Sequence, residues 1–531
     1  MITQLLSLMK AYGIRHVVVC PGSRNAPLVH AFASRPDCFK VHPITDERSA
    51  GFVAIGMADA LQSPVAVCVT SGSAVLNVAP AVAEAFYRRV PLLVVSADRP
   101  AQWIGQMDGQ TLPQNGSFGT LARSYQLPAD GADARWWRNR LINEALASLQ
   151  NKRPMHINVP LSEPLFDFPS NEKYIDNGER KVEFERGERF ELSQSAVDEW
   201  ISAKRRMIIV GQHYQNERLR KVIAEIRQKN LAVIIAESLS NLPKSCISNN
   251  YNDFIGTENP DLVVYLGGHI ILKKVKKYLR KQNINKIWRI ESADEQTFID
   301  TFQHTTRVIY SADEVSVLEQ LTHLQADASQ TSFIQSWTSD PSNNNFDNTE
   351  TFDAQTVAAY ALHRLAELPH RSAVALANSS TVRYAQHVAA DYVGSCNVLC
   401  NRGVNGIEGT LSAAVGYATI KSEELVLCII GDLSYFYDHN ALWNNNLPQN
   451  LRILLLNDGG GKIFSGLNGL EASPFRETLI AAQHNYQTSG WAADCGIAYY
   501  KSNNNAINCK SAISDLLNHN DGRAALLEVM L

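Results

Sequence analysis

The chain has 531 residues, of which 45% are hydrophobic and 19% charged. That composition excludes wholesale disorder, a collagen-like repeat and a disulfide-stapled miniprotein. Lys and Arg total 49 against 53 Asp and Glu, a net charge of −4, so no overall field holds a nucleic acid and any anionic ligand must be met by a local cluster of bases.

The opening segment, MITQLLSLMKAYGIRHVVVC, predicts a short amphipathic helix followed by a strand. It lacks the long apolar core and small-residue cleavage site of a signal peptide, and no run in the chain reaches the ~18 apolar residues that a membrane-spanning helix needs. From there β-branched runs alternate with helical stretches. They are HVVVCPGSR (16–24), VAVCVTSGSA (65–74) and LLVVSADRP (92–100), then MIIVGQ (207–212), AVIIAES (232–238) and LVVYLGG (262–268), and finally VLCIIGDLS (426–434) and RILLLNDGGG (452–461). Continuous apolar strands ending in Gly, Ser or Asp predict an α/β protein with mainly parallel sheets flanked by helices on both faces. In such sheets ligands bind at the carboxyl ends of the strands. Two polar stretches, 164–195 and 325–352, read as linkers. They give three domains, at about 1–170, 190–325 and 350–531; the middle one reads as a nucleotide-binding-like fold without a G-x-G-x-x-G loop.

The outer two units echo each other. Ala54-Ile55-Gly56-Met57-Ala58 matches Ala414-Val415-Gly416-Tyr417-Ala418. Each is followed by a strand bearing a cysteine, Cys68 or Cys428, and then by a Gly turn, Gly72-Ser73 or Gly431-Asp432. The nine cysteines form no C-x-x-C pair and no zinc spacing. Free thiols in buried strands are expected, which fits a reducing cytoplasm.

Gly431-Asp432-Leu433-Ser434 ends one apolar strand, and Asn457-Asp458-Gly459-Gly460-Gly461 ends another 26 residues later. On adjacent parallel strands the two ends lie side by side. A carboxylate, a second oxygen ligand (Asn457 or Asp458) and a carbonyl from the Gly turn make a hard-oxygen set suited to Mg²⁺ and a diphosphate. Helix capping by Asp is the plainer account of Gly-Asp alone; the correct spacing of both halves favours the metal. Lys462 is followed by Ile463, so this is no Walker A loop.

The pairing of Gly-Asp with a later Asn resembles the signature of the thiamine-diphosphate-dependent enzymes, with Leu433 in place of a second Gly and Asp458 in place of a second Asn. Further motifs narrow the likeness. They are Cys20-Pro21-Gly22-Ser23-Arg24, Thr45-Asp46-Glu47-Arg48-Ser49, Thr70-Ser71-Gly72-Ser73, Ala97-Asp98-Arg99-Pro100, Gly109-Gln110, Asn378-Ser379 with Arg383, and Asn401-Arg402-Gly403 with Gly406-Ile407-Glu408-Gly409. Together they are similar to the 2-succinyl-5-enolpyruvyl-6-hydroxy-3-cyclohexene-1-carboxylate synthases of menaquinone biosynthesis, in which Leu after Gly-Asp is normal. The match covers both outer units in order; the middle unit matches only loosely, mainly at Lys273-Lys274.

This resemblance implies the thiamine-diphosphate-binding fold. It also implies thiamine diphosphate and Mg²⁺ (or Mn²⁺) as cofactors, and decarboxylation of 2-oxoglutarate with addition of the remaining fragment to isochorismate. Glu47 is then the catalytic carboxyl facing the aminopyrimidine ring, and Ile407 the apolar wedge under the cofactor. Gly431, Asp432, Ser434, Asp458 and Gly460 hold the diphosphate end, and Asp432, Asp458 or Asn457, and Gly460 hold the metal. Ser23, Arg24, Arg99, Gln110, Lys273, Lys274, Ser379, Arg383 and Arg402 meet the substrate carboxylates, a task to which Arg is suited by its fork of donors. Lys273-Lys274 reads equally well as the solvated face of a helix. The chain has no adjacent His-His pair of the kind simple 2-oxo-acid decarboxylases use, which favours carbon–carbon bond formation. The resemblance further implies a homodimer or homotetramer in the cytoplasm, with no nucleic acid and no membrane span. The alternatives are an acetolactate-synthase-like carboligase and a non-catalytic relative.

Overall fold

A computed structural model of the chain describes all residues except 169–177, 185–189, 249–257, 282–283, 292–298, 312, 324–327, 338–345 and 347–348. The first sheet contains β1 (His16–Val19), β2 (Lys40–Pro43), β3 (Val65–Val69), β4 (Leu92–Asp98), β5 (Arg123–Gln126) and β6 (Met155–Pro160). The second contains β7 (Arg206–Val210), β8 (Val233–Ala236), β9 (Leu262–Leu266), β10 (Lys286–Glu291) and β11 (Thr305–Tyr310). The third contains β12 (Ser372–Leu376), β13 (Cys396–Leu399), β14 (Leu425–Gly431), β15 (Leu451–Asn457), β16 (Ala498–Asn503) and β17 (Ala525–Met530). The pairings within the three sheets are parallel. Strands such as β3, β4 and β15 are buried at every residue, because helices cover both faces; that is why they read as unbroken apolar runs.

The order of the first sheet is β2-β1-β3-β4-β6-β5, and that of the third is β13-β12-β14-β15-β17-β16. The two are the same winding of equivalent strands, so the internal repeat expected from the sequence is a repeat of topology. The middle sheet, β11-β10-β9-β7-β8, is wound differently.

The helices that carry or support the site are α1 (Glu47–Leu61), α2 (Ala79–Arg88), α3 (Lys273–Lys281), α4 (Thr381–His387), α5 (Thr410–Ile420) and α6 (Asp432–Asp438). Helix α1 starts at an Asp46 cap that accepts the Ser49 N–H. It packs against α5, and the repeated glycines explain how closely. A Cβ on Gly56 would lie 1.9 Å from the Ala413 carbonyl oxygen, and one on Gly416 would lie 2.0 Å from that of Val53. The two copies of the motif thus fit into each other about a local two-fold. One apolar core runs through this contact from Phe52, Ile55 and Val67 to Ala414, Val415 and Cys428.

Much of the two polar stretches expected as linkers lies outside the described residues. Inside the second, Ala328–Ser336 is a helix rather than a linker. Phe333 on it and Trp337 just after it are buried in the core of the middle unit, so two aromatic anchors outweigh a polar composition. All nine cysteines are free, and only Cys495 is not buried. No helix among the described residues is long and apolar enough to cross a membrane.

Replacing a helical Gly by Ala ordinarily stabilises by about 0.5–1 kcal/mol. Gly56→Ala is expected to do the reverse, costing about 1–3 kcal/mol through overpacking against the α5 backbone. A fall in the urea midpoint at unchanged m-value reads the sign.

Candidate functional site

Strands β14 and β15 are neighbours with Gly431 opposite Leu456, so the residues after them emerge side by side. Asp432, the first residue of α6, is only 2% exposed. Its Oδ1 accepts the Leu433 N–H at 2.6 Å and its Oδ2 the Gly460 N–H at 2.9 Å. His484 Nε2 lies 3.4 Å from the same Oδ2. Because His484 Nδ1 accepts the Tyr486 N–H at 3.1 Å, the neutral ring carries its proton on Nε2, facing the carboxylate. Ser434 is buried one turn into α6.

Asp458 shares this cleft. Burial pushes its carboxyl up to about 7, and the neighbouring charge of Asp432 adds to the effect; burial raises Asp432 as well. Asn457 faces elsewhere, with its amide donating to the Tyr486 carbonyl at 2.9 Å and to Glu528 Oε1 at 2.7 Å. Of the two candidates it is therefore Asp458 that confronts Asp432. Between them Gly460 has φ +146, and a Cβ there would come within 2.9 Å of the Ala481 carbonyl oxygen. A cavity of about 290 Å³ opens alongside, lined by Asp458, Gly459–Lys462, Arg476 and His484. Two carboxyls whose proton affinity burial raises, Asp458 further by the charge of Asp432, beside a turn closed to side chains, fit a divalent cation with oxygen ligands.

A second cluster lies where the middle and rear units meet. Arg402, 7% exposed, donates Nη1 to Asn378 Oδ1 at 3.1 Å. Its Nε is buried without a hydrogen-bond partner among the described residues. Asn378 in turn holds the carbonyls of Asn401 (2.6 Å) and Gly406 (2.7 Å). Arg383 on α4 donates to the carbonyl of Ser379, whose φ is +67. Burial and the charge of Arg402 lower the proton affinity of Arg383. Lys273 and Lys274 are exposed at the start of α3, while Lys276 on the same helix is half-buried. Burial lowers Lys276, with the Glu237 carboxylate opposing and Arg402 reinforcing the shift. His269 is held down to about 4 by burial and by Lys276 and Arg402. Cations that lower one another's proton affinity make a setting for a carboxylate-bearing ligand. Arg383 and Arg402 are among the residues expected from the sequence to meet substrate; the fold sets Lys276 and His269 beside Arg402. The helical spacing from Lys273 was the available signal for Lys276; His269, in a loop, gave none.

The front unit presents the other expected residues. Glu47 begins α1, half-exposed, and its Oε2 accepts Asn77 Nδ2 at 3.2 Å. Its neighbours reach the far end of α6 and the turn after it: Asp46 Oδ2 accepts Asn440 Nδ2 at 2.8 Å, and Arg48 donates to the Tyr437 carbonyl at 2.5 Å while lying over the Tyr437 ring. Ser23 and Gln110 are exposed. Arg24 is buried and already engaged, by the Leu161 carbonyl (3.1 Å) and Glu163 (3.3 Å). Arg99 reaches the Gly109 carbonyl (3.1 Å) and Asp108 (3.0 Å). Ile407 is 38% exposed. A cavity of about 560 Å³ separates Cys20–Gly22 and Pro43–Thr45 from Trp443–Asn446.

Behind Arg99 and Gln110 lies a buried polar network that no sequence pattern announced. Gln114 accepts the Gly72 N–H at 2.7 Å and donates to Asn158 at 2.8 Å. Asn158 donates to Asp98 at 2.7 Å, and Ser96 links it to His156. Burial holds the His156 imidazole down to about 3. An unfolded His takes its proton near pH 6.5. The stabilisation is therefore complete above that pH and is lost as pH falls from about 6.5 towards 3, by up to ~1.4 kcal/mol per pH unit. His156→Gln should flatten this slope, as chemical denaturation at pH 7.5 and 5.5 would record.

Residues 2–117 match the family model described as "Thiamine pyrophosphate enzyme, N-terminal TPP binding domain". Along nearly its full length the chain is similar to proteins named 2-succinyl-5-enolpyruvyl-6-hydroxy-3-cyclohexene-1-carboxylate synthase. That of Bacteroides fragilis is 42% identical over 520 residues, covering 94% of this chain and 90% of the relative. That of Desulfotalea psychrophila is 37% identical (92% and 91% covered). That of Flavobacterium johnsoniae is 33% identical (99% and 95% covered).

Proposed function

The chain belongs to the family of 2-succinyl-5-enolpyruvyl-6-hydroxy-3-cyclohexene-1-carboxylate synthases, thiamine-diphosphate-dependent enzymes that form a carbon–carbon bond in menaquinone biosynthesis, and on that premise we propose which of its residues do the work. The substrates are 2-oxoglutarate and isochorismate. Thiamine diphosphate, when bound, supplies the electron sink that lets the 2-oxo acid lose CO₂ and join a new carbon. The observation that carries the reading is the facing pair Asp432 and Asp458 at the ends of β14 and β15.

Asp432, Asp458 and the Gly460 carbonyl hold Mg²⁺ or Mn²⁺, and the cation relieves the repulsion between the two carboxyls. Gly431 and Ser434 flank the diphosphate end. Asn457 serves as a strut, tying the end of β15 to Glu528. Glu47 moves a proton at the aminopyrimidine end, and Ile407 packs against the cofactor. Arg383 and Arg402 bind and orient the substrate carboxylates from the rear unit, with Ser379, Lys273 and Lys274 at the rim. Ser23, Arg24, Arg99 and Gln110 do so from the front unit. Arg24 reaches a ligand only by giving up its hold on Glu163, so its contribution is the smaller.

The assembly is a homodimer or a pair of dimers. The resemblance to thiamine-diphosphate-dependent enzymes implies that Glu47 of one copy serves the metal site of another. The free thiols support work in the cytoplasm.

Purified protein with thiamine diphosphate and Mg²⁺ should release CO₂ from 2-oxoglutarate and consume isochorismate one for one. Turnover of pyruvate alone would contradict the assignment. Glu47→Gln is expected to lower kcat by about 10²–10⁴-fold while leaving the fold intact. Thiamine diphosphate and Mg²⁺ together should raise the melting temperature more than either alone. Asp458→Ala removes that synergy, whereas Asn457→Ala lowers the melting temperature of the bare protein and keeps the synergy.

A further inference from the structure

The turn Asn401-Arg402-Gly403-Val404 is held by a buried cluster outside the site described above. Glu84, on α2 of the front unit, is 2% exposed and points its carboxylate across the domain boundary. Its Oε1 accepts the Gly403 N–H and its Oε2 the Val404 N–H, both at 2.8 Å. One turn along α2, Arg88 donates Nη1 to Asn401 Oδ1 at 3.2 Å and Nη2 to Asp59 Oδ2 at 2.9 Å. The middle unit closes the cluster: Tyr214 donates to Asp59 Oδ1 at 2.9 Å, and Gln212 donates to the Cys400 carbonyl at 2.7 Å. The fit leaves no slack, because a Cβ on Gly403 would lie 2.8 Å from the Glu84 carbonyl oxygen.

We propose that Glu84 is a positioning residue for substrate binding: its carboxylate clamps the two backbone N–H groups that follow Arg402, and so fixes where the Arg402 guanidinium stands. The physical grounds are the charge on the clamp and its burial. A carboxylate accepting two consecutive backbone N–H groups makes charge-assisted bonds, roughly twice as strong as neutral ones, and burial excludes the water that would otherwise compete. Only Arg402 within the turn sends its side chain to the substrate cluster, with a buried Nε left for a ligand. The clamp therefore acts through Arg402 and does not touch substrate itself. It also gives the middle unit a part in substrate binding, since Tyr214 and Gln212 hold the same turn from the other side.

The inference rests on Arg402 being a substrate ligand, as proposed above. Glu84→Gln keeps one acceptor oxygen and sets an NH₂ against the other backbone N–H. The holoenzyme carrying it should show KM for at least one of the two carboxylate substrates raised by about tenfold, with kcat within about threefold of wild type, the pattern of lost uniform binding. Gly403→Ala displaces the same turn by a different route and should give the same split, which keeps the test available if Glu84→Gln does not fold. In an Arg402→Ala background Glu84→Gln should change neither KM further, because two residues acting through one contact are not additive. A purely structural role predicts instead a lower melting temperature with unchanged KM values, or full additivity with Arg402→Ala; either result overturns the proposal. Lack of turnover by the wild-type protein with both substrates would remove the functional reading itself, and is separately visible.

Discussion

Two buried carboxyl groups with raised proton affinity stand abreast at the strand ends of the rear unit. Asp432 and Asp458 emerge from neighbouring parallel strands, and burial and mutual repulsion raise the proton affinity of Asp458 to near neutrality. Much of the rear unit keeps them there. The β14–β15 register puts their backbones abreast. The Gly460 N–H fixes one Asp432 oxygen, and Asn457 anchors the end of β15 by spending its amide on Glu528 and the Tyr486 carbonyl. Two buried carboxyls abreast beside a glycine turn are a stronger sign of a cation site than the dipeptide Gly-Asp, which caps ordinary helices elsewhere.

The outer units share one winding, and their equivalent helices α1 and α5 interlock through the glycines that mark the repeat. Close backbone approach makes that contact rigid and leaves the strand ends of each unit free to differ. At the strand end where the rear unit carries Gly431-Asp432 the front unit carries Gly72-Ser73, and its carboxyl Glu47 stands instead at the start of α1. The middle unit does not share this symmetry. It supplies Lys276 to the cation cluster, sets the neutral His269 beside it and braces the Arg402 turn, which makes it more than a spacer.

The central strands were legible because burial on both faces leaves them largely apolar, and the repeat because its glycines are imposed by helix contact; the edge strand β2 and the polar-bearing buried strand β6 were not legible. The Asp432 region was legible because spacing along the chain translates into adjacency of strand ends. Other features were hidden for physical reasons. Which of Asn457 and Asp458 turns towards Asp432 depends on the side of the strand end each leaves, and Asn457 is turned away by Glu528, 71 residues on in the chain. Arg24 sits in a Gly-Ser turn typical of a ligand contact, yet it finds Leu161 and Glu163 within its own unit. Composition misplaced the end of the middle unit because the burial of Phe333 and Trp337 outweighs many polar neighbours. The clamp formed by Glu84 joins residues more than three hundred positions apart, beyond any local pattern.

On the proposed function, Glu47 and the Asp432 site act on one cofactor from two different copies of the chain. Subunit exchange between a Glu47→Gln protein and an Asp432→Asn protein, each inactive alone, tests this directly. Random pairing should restore about a quarter of wild-type activity, because half the dimers are mixed and each mixed dimer holds one site with both residues intact. Mixtures that stay inactive although exchange is complete would contradict it.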